Sequence, residues 1–181
     1  PYFLGIINMK TTVILCNEIN RPILEETIHI LKELWEEMGY EALIRYLEED
    51  ASPDKYMNEL YHLKEEFVVT FAMAGFEWRG LMEQVRFNTL AAMQVHILIG
   101  ELPQYDYFLQ KEFGIHSFFF SDSENIVRNW KTKYPLVPFL KKYPSLCVSE
   151  HLSGEEKRVN RERLKDILQT VMKFIEKPSV L

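Results

Sequence analysis

The sequence predicts an α/β protein built on an open, parallel, five-stranded Rossmann-like sheet, with a sixth strand as an alternative. Helices cover both faces, and a long C-terminal helix completes the expectation. Three observations carry it. Five apolar runs, at residues 11–17, 42–47, 67–72, 95–100 and 116–121, are rich in Val, Ile, Phe or Leu and too short for core helices. They read as continuous rather than alternating hydrophobic runs, as strands do when a parallel sheet buries both faces. Each is followed by helical periodicity, and that alternation belongs to a sheet wrapped in helices with a ligand crevice at the carboxyl ends of its strands.

The elements follow in order. Strand one ends at Asn17, and Pro22 stands where a first helical turn accepts proline. Leu24, Ile28, Leu31, Trp35 and Met38 then recur at spacings of 4, 3, 4 and 3, one apolar face closed by Gly39 as the C′ residue. Strand two comes next, and Ser52-Pro53-Asp54 opens a second helix with Tyr56, Met57, Leu60 and Leu63 inward. Strand three runs into the turn Ala74-Gly75-Phe76, and a third helix covers about 81–93. Strand four ends at Gly100-Glu101-Leu102-Pro103, a shorter helix covers about 105–113, and Gly114 stops it before strand five.

Ser123 and Glu124 start a helix through Trp130, after which Pro135, Pro138 and Pro144 make residues 134–149 irregular. Ser153-Gly154-Glu155-Glu156 has capping-box spacing and opens a final helix that stops near Pro178. The organisation expected is one Rossmann-like domain at 10–150, with residues 151–181 packed on it as the C-terminal helix. Met9 offers an internal start, which makes residues 1–9 a tag or upstream segment; an authentic extra strand is the alternative.

The 181 residues suffice for one domain with a real core, and 47 % apolar with 27 % charged residues is ordinary for a globular protein. Two cysteines do not make a disulfide scaffold, and Cys16, inside strand one, reads as a buried structural thiol in a reducing, cytoplasmic setting. No apolar stretch reaches the ~20 residues that span a bilayer, and no basic leader precedes one. Residues 1–124 carry 9 Lys+Arg against 21 Asp+Glu, and residues 125–181 carry 12 against 6. The basic region at 125–177 can meet an anionic partner or membrane surface, or it can face the acidic two-thirds of the same chain. A net charge of −6 argues against general nucleic-acid binding.

The motifs exclude more than they assign. Cys16-Asn17-Glu18-Ile19-Asn20-Arg21-Pro22 holds no glycine, so the dinucleotide fingerprint is absent, as is the P-loop. No NAD, FAD or ATP site of the standard types, and no cofactor, is expected. His29, His62, His96, His116 and His151 are scattered without zinc spacing, so no metal is expected, and no G-x-S-x-G elbow occurs. What remains is a set of polar residues at the expected carboxyl ends of the strands: Asn17, Glu18, Gly75, Glu77, Glu101 and Asp122. Carboxylates there suit general-base work or the holding of sugar hydroxyls; equally, Glu18, Glu101 and Asp122 suit the capping of the helices that follow. Tyr105, with Tyr107, follows Pro103 at the mouth of that crevice, where tyrosines contact sugars. Phe118-Phe119-Phe120 reads as core.

Gly100-Glu101-Leu102-Pro103-Gln104-Tyr105-Asp106-Tyr107, then Phe120-Ser121-Asp122 and the exit Tyr134-Pro135-Leu136-Val137-Pro138, give the chain a resemblance to a known family. With Gly75 after strand three, they resemble the amino-terminal Rossmann-like domain of bacterial GT-B glycosyltransferases, the spore-maturation-like group of family 1. The resemblance covers about residues 10–145. It implies an acceptor-side transferase half that binds a sugar or glycan-bearing ligand and lacks, or is separated from, its nucleotide-sugar domain. Glu101 stands where that family has aspartate. The alternative is a non-catalytic α/β regulatory or protein-interaction module, or a homo-oligomer. A flavodoxin-like or receiver-like domain ranks third, because receivers want acidic residues where this chain has Asn17-Glu18 and Ala74-Gly75.

Overall fold

The computed structural model describes residues 10–48, 67–74, 93–100, 117–133 and 140–176. Among them are β1 (Lys10–Asn17), a 3-10 turn (Glu18–Asn20), α1 (Arg21–Glu37), β2 (Tyr40–Leu47), β3 (Phe67–Ala74) and β4 (Met93–Ile99). They continue with β5 (Ser117–Ser121), α2 (Glu124–Lys133), β6 (Leu140–Lys142) and α3 (Gly154–Glu176).

All six strands join one sheet in the order β2-β1-β3-β4-β5-β6, and every neighbouring pair is parallel. The chain winds outward from β1 to β2, then returns to the other side of β1 and proceeds through β3 to β6. Three expectations are corrected by this. Among the described residues the order is the flavodoxin-like member of the doubly wound class, not the Rossmann 3-2-1-4-5-6 order, which would need a further strand outside β2. A sixth strand, β6, lies within the stretch read as irregular: only Leu140 is buried there, and Lys141 and Lys142 face water, which leaves no hydrophobic run to see. Met93, assigned to the end of a helix, opens β4 instead.

Strands β1, β4 and β5 are buried on both faces. On one, Ile14, Cys16, Ala42, Val95, Ile97, Phe118 and Phe120 pack in a single cluster with α1 and α3. Leu24, Ile28, Leu31 and Trp35 supply the α1 side of that cluster, and Leu164, Ile167, Leu168 and Val171 the α3 side. Each such side chain contributes roughly 1.5–3 kcal/mol when fully removed from water. Strand alternation turns Val13, Leu15, His96, Leu98 and Phe119 to the opposite face, where they are buried equally well. The Phe118–Phe120 run is therefore core, divided between two faces.

Helix ends follow the sequence signals. Gly39, at φ +90°, reverses the chain after α1, and its N–H donates to the Glu36 carbonyl at 3.0 Å. The capping box before α3 is formed: the Ser153 N–H donates to Glu156 Oε1 at 3.0 Å, and the Glu156 N–H to Ser153 Oγ at 3.1 Å. α3 lies along α1, so basic residues of the C-terminal third meet acidic residues of the first. Arg161 bridges Glu33 and Glu37, and Lys157 reaches Glu26 at 3.8 Å. Among the described residues, no helix is long and apolar enough to cross a membrane.

Candidate functional site

Ligands of open α/β sheets bind outside the carboxyl ends of the strands, at the point where the winding reverses. Here that point lies between β1 and β3, so the end of β1 is the place to look. Asn17 is its last residue, held extended at φ −76° and ψ 144°. Alternation sets it on the Val13–Leu15 face, opposite Ile14 and Cys16. Its side chain is 1 % exposed, yet neither Oδ1 nor Nδ2 has a hydrogen-bond partner. Native proteins rarely leave both halves of a buried carboxamide unmet.

The turn that follows is filled by charge and aromatic contact. Glu18 opens the 3-10 turn, and Arg21 lies 3.5 Å from Glu18 Oε1 and 3.5 Å from Glu25 Oε1. The Arg21 guanidinium also sits 4.4 Å above the centre of the Tyr46 ring, a cation–π contact. Parallel register explains the meeting: Cys16 pairs with Tyr46, so the end of β2 lies beside the start of α1. Burial, with Glu25 adding to it, pushes the Tyr46 phenol up to about 12, and its hydroxyl is likewise enclosed without a partner. Burial pushes the Cys16 thiol up to about 12, and Glu18 adds to it. Cys16 therefore stays a thiol at neutral pH, unsuited to nucleophilic attack.

The start of α1 offers an anion neither of its first two N–H groups. The Arg21 N–H donates to the Glu18 carbonyl, Pro22 has no N–H, and no side chain caps the helix. The remaining orphan of the described core, Trp35 Nε1, belongs elsewhere: its indole packs edge-on to Tyr40 at 4.7 Å, at the amino end of β2.

The rim at β4–β6 is closed by its own hydrogen bonds. The Gly100 N–H donates to Asp122 Oδ1 at 2.8 Å, clipping the end of β4 to the end of β5. The Tyr143 hydroxyl donates to the Leu98 carbonyl at 2.8 Å, and the Tyr143 N–H to Ser121 O at 3.0 Å. Burial drives the Tyr143 phenol above its ordinary range, and the Asp122 carboxylate adds to it. Asp122 thus ties two strand ends together rather than capping the helix that follows, where Ser123 Oγ accepts from the Ile126 N–H at 3.3 Å. Of the residues expected at the site, Asn17 and Glu18 come together beside the switch point and Asp122 lies at the closed rim. Gly75, Glu77, Glu101 and Tyr105 fall outside the described residues.

Sequence reasoning missed Arg21 and Tyr46. Their contact arises from strand register, which no spacing along the chain encodes. Among the described residues, no group of His, Cys, Asp and Glu side chains is placed to hold a metal ion. A groove of about 470 Å³ between α1 and α3 is lined by Glu26, His29, Glu33, Lys157, Arg158 and Arg161. Lys157 and Arg161 are already ion-paired across it.

No family model matches the chain, and no curated protein matches it. Solved structures do resemble it. One is the flavodoxin-like domain of a Synechococcus protein, at 10 % identity and TM-score 0.43, covering 90 % of this chain and 99 % of that one. Another is a flavone reductase, at 12 % identity and TM-score 0.41, covering 96 % of this chain and 66 % of that one. A third is an oxidoreductase from Corynebacterium diphtheriae, at 11 % identity and TM-score 0.43, covering 94 % and 99 %. By their names these are flavodoxin-like proteins and oxidoreductases; it is the order of the described strands on which the glycosyltransferase assignment fails. The motifs behind it describe the succession of strands and turns, which both doubly wound orders share. The order of strands in the sheet is where they part, and here it is flavodoxin-like.

Proposed function

We propose that this chain is a ligand-binding α/β module whose small-molecule ligand sits at the carboxyl end of β1. Asn17 carries the reading: a carboxamide 1 % exposed, at the switch point of the sheet, with both polar atoms unmet by protein. Leaving a buried polar group unsatisfied costs about 1–3 kcal/mol. Strain of this kind concentrates where a fold keeps a site ready for something else to complete it. Binding supplies the missing partners, and the rim must open to admit them, because neither atom is exposed.

The module reading fits the neighbouring side chains. Cys16 and Tyr46 hold their protons at neutral pH, so neither serves as a nucleophile or base there, and Arg21 lies between Glu18 and Glu25. Thermal-shift screening of uncharged small molecules on the wild type and on Asn17→Leu tests it. The expected hits raise the wild-type midpoint and leave the variant unmoved. Hits that raise both midpoints equally would place the ligand away from Asn17 and overturn the reading.

A further inference from the structure

Flavodoxin, whose sheet has this winding order, holds flavin mononucleotide at its β1/β3 switch point. The residues here fit only part of that molecule. A phosphate monoester carries up to about two negative charges. It rests on free N–H groups at a helix N-terminus and on available cations.

The turn from β1 into α1 provides the reverse. One of its first two helical N–H groups is spent on the Glu18 carbonyl, and the other is missing at Pro22. The Glu18 carboxylate stands in the turn itself. The cation beside it, Arg21, already lies between two carboxylates and over the Tyr46 ring. An arriving phosphate would have to displace these contacts and then face the freed carboxylates.

Asn17 makes the opposite offer. A carboxamide has two N–H donors and one acceptor oxygen, and all of them are unpaired here. A group that satisfies them together presents an adjacent C=O and N–H, which is the edge of a lactam or amide.

Resting on the ligand-binding reading above, we propose that the switch-point site takes an uncharged lactam- or amide-bearing ring. Its C=O pairs with Nδ2 of Asn17 and its N–H with Oδ1, and the site rejects phosphate monoesters of the same ring. Among its described residues, this chain thus keeps the winding of a flavin mononucleotide protein without a cradle for the phosphate.

The test uses two matched pairs, riboflavin with flavin mononucleotide and uridine with uridine monophosphate, titrated into ¹⁵N-labelled full-length protein. The readouts are the Asn17 side-chain NH₂ signals, assigned in the wild type, and the backbone amides of Arg21 and Ile23. Riboflavin or uridine is expected to move the Asn17 signals, with its phosphate ester binding at least tenfold more weakly. An ester that binds within tenfold of its parent, or more tightly, overturns the exclusion of phosphate while the ligand-binding reading stands. If no member of either pair moves the Asn17 signals, the assignment of the site to Asn17 falls, and this inference falls with it.

Discussion

The carboxamide of Asn160 holds both ends of the Cys147 peptide unit. The Cys147 N–H donates to Asn160 Oδ1 at 2.7 Å, and Asn160 Nδ2 donates to the Cys147 carbonyl at 2.9 Å and to Thr27 Oγ1 at 3.1 Å. One side chain, fully buried on α3, thereby fixes the segment after β6 and ties α3 to α1. Asn160→Ala leaves three polar partners stranded, two on the backbone and one on Thr27. It is expected to destabilise the protein by roughly 3 kcal/mol or more, read from urea unfolding midpoints. A loss below about 1 kcal/mol would mean that water replaces the side chain without cost.

Asn17 inverts that argument. It is as buried as Asn160 but has nothing to lose, since no protein group depends on its amide. Asn17→Leu keeps approximate shape and removes two unsatisfied atoms, so the ligand-free protein is expected to gain about 1 kcal/mol. The same substitution removes binding in the screen described above. Stability rising while function falls is the mark of a position kept for a ligand. A destabilised Asn17→Leu protein would show that the amide is bonded after all.

Gly39 makes a third, local prediction. Its φ of +90° lies in the left-handed region, and a Cβ built there meets nothing within 4 Å. The cost of Gly39→Ala is therefore backbone strain alone, about 1 kcal/mol, with no contribution from clash. Gly39→Asn should cost less, because asparagine tolerates this conformation. Equal losses in the two variants would point to a steric cause instead.

These contrasts mark where the sequence was legible. The five apolar runs correspond to β1–β5; in β1, β4 and β5 both faces are buried, and a strand so placed must be apolar at nearly every position. Gly39 and Ser153 were readable because helix ends impose local chemistry on neighbouring residues. β6 was not, since a three-residue edge with two exposed lysines carries no pattern. Strand order was not, because pairing is a relation between distant segments; the glycosyltransferase resemblance arose from succession and failed on order. At the site, Asn17 stood out as a polar residue ending an apolar run. That its amide is unmet, that Asp122 clips β4 to β5, and that Arg21 covers Tyr46 all depend on register.

His96 gives the protein a calculable acid sensitivity. The ring is fully buried on β4, stacked on Phe119 at 4.4 Å with its Nε2 3.2 Å from Gln94 Oε1. Burial lowers its pKa from 6.5 to about 3, so the folded protein keeps the ring neutral where the unfolded chain would protonate it. Between those two values the unfolded chain binds more protons than the folded one. The contribution is therefore complete above about pH 6.5 and declines as pH falls toward 3, by at most about 1.4 kcal/mol per pH unit. Urea midpoints measured across that range should slope downward with acid. His96→Phe keeps an aromatic ring against Phe119 and removes the titrating group, so its profile should be flatter by that amount, whatever constant stability the substitution costs. Identical slopes in the two proteins would show that other groups carry the acid response and that His96 titrates alike in the folded and unfolded chain.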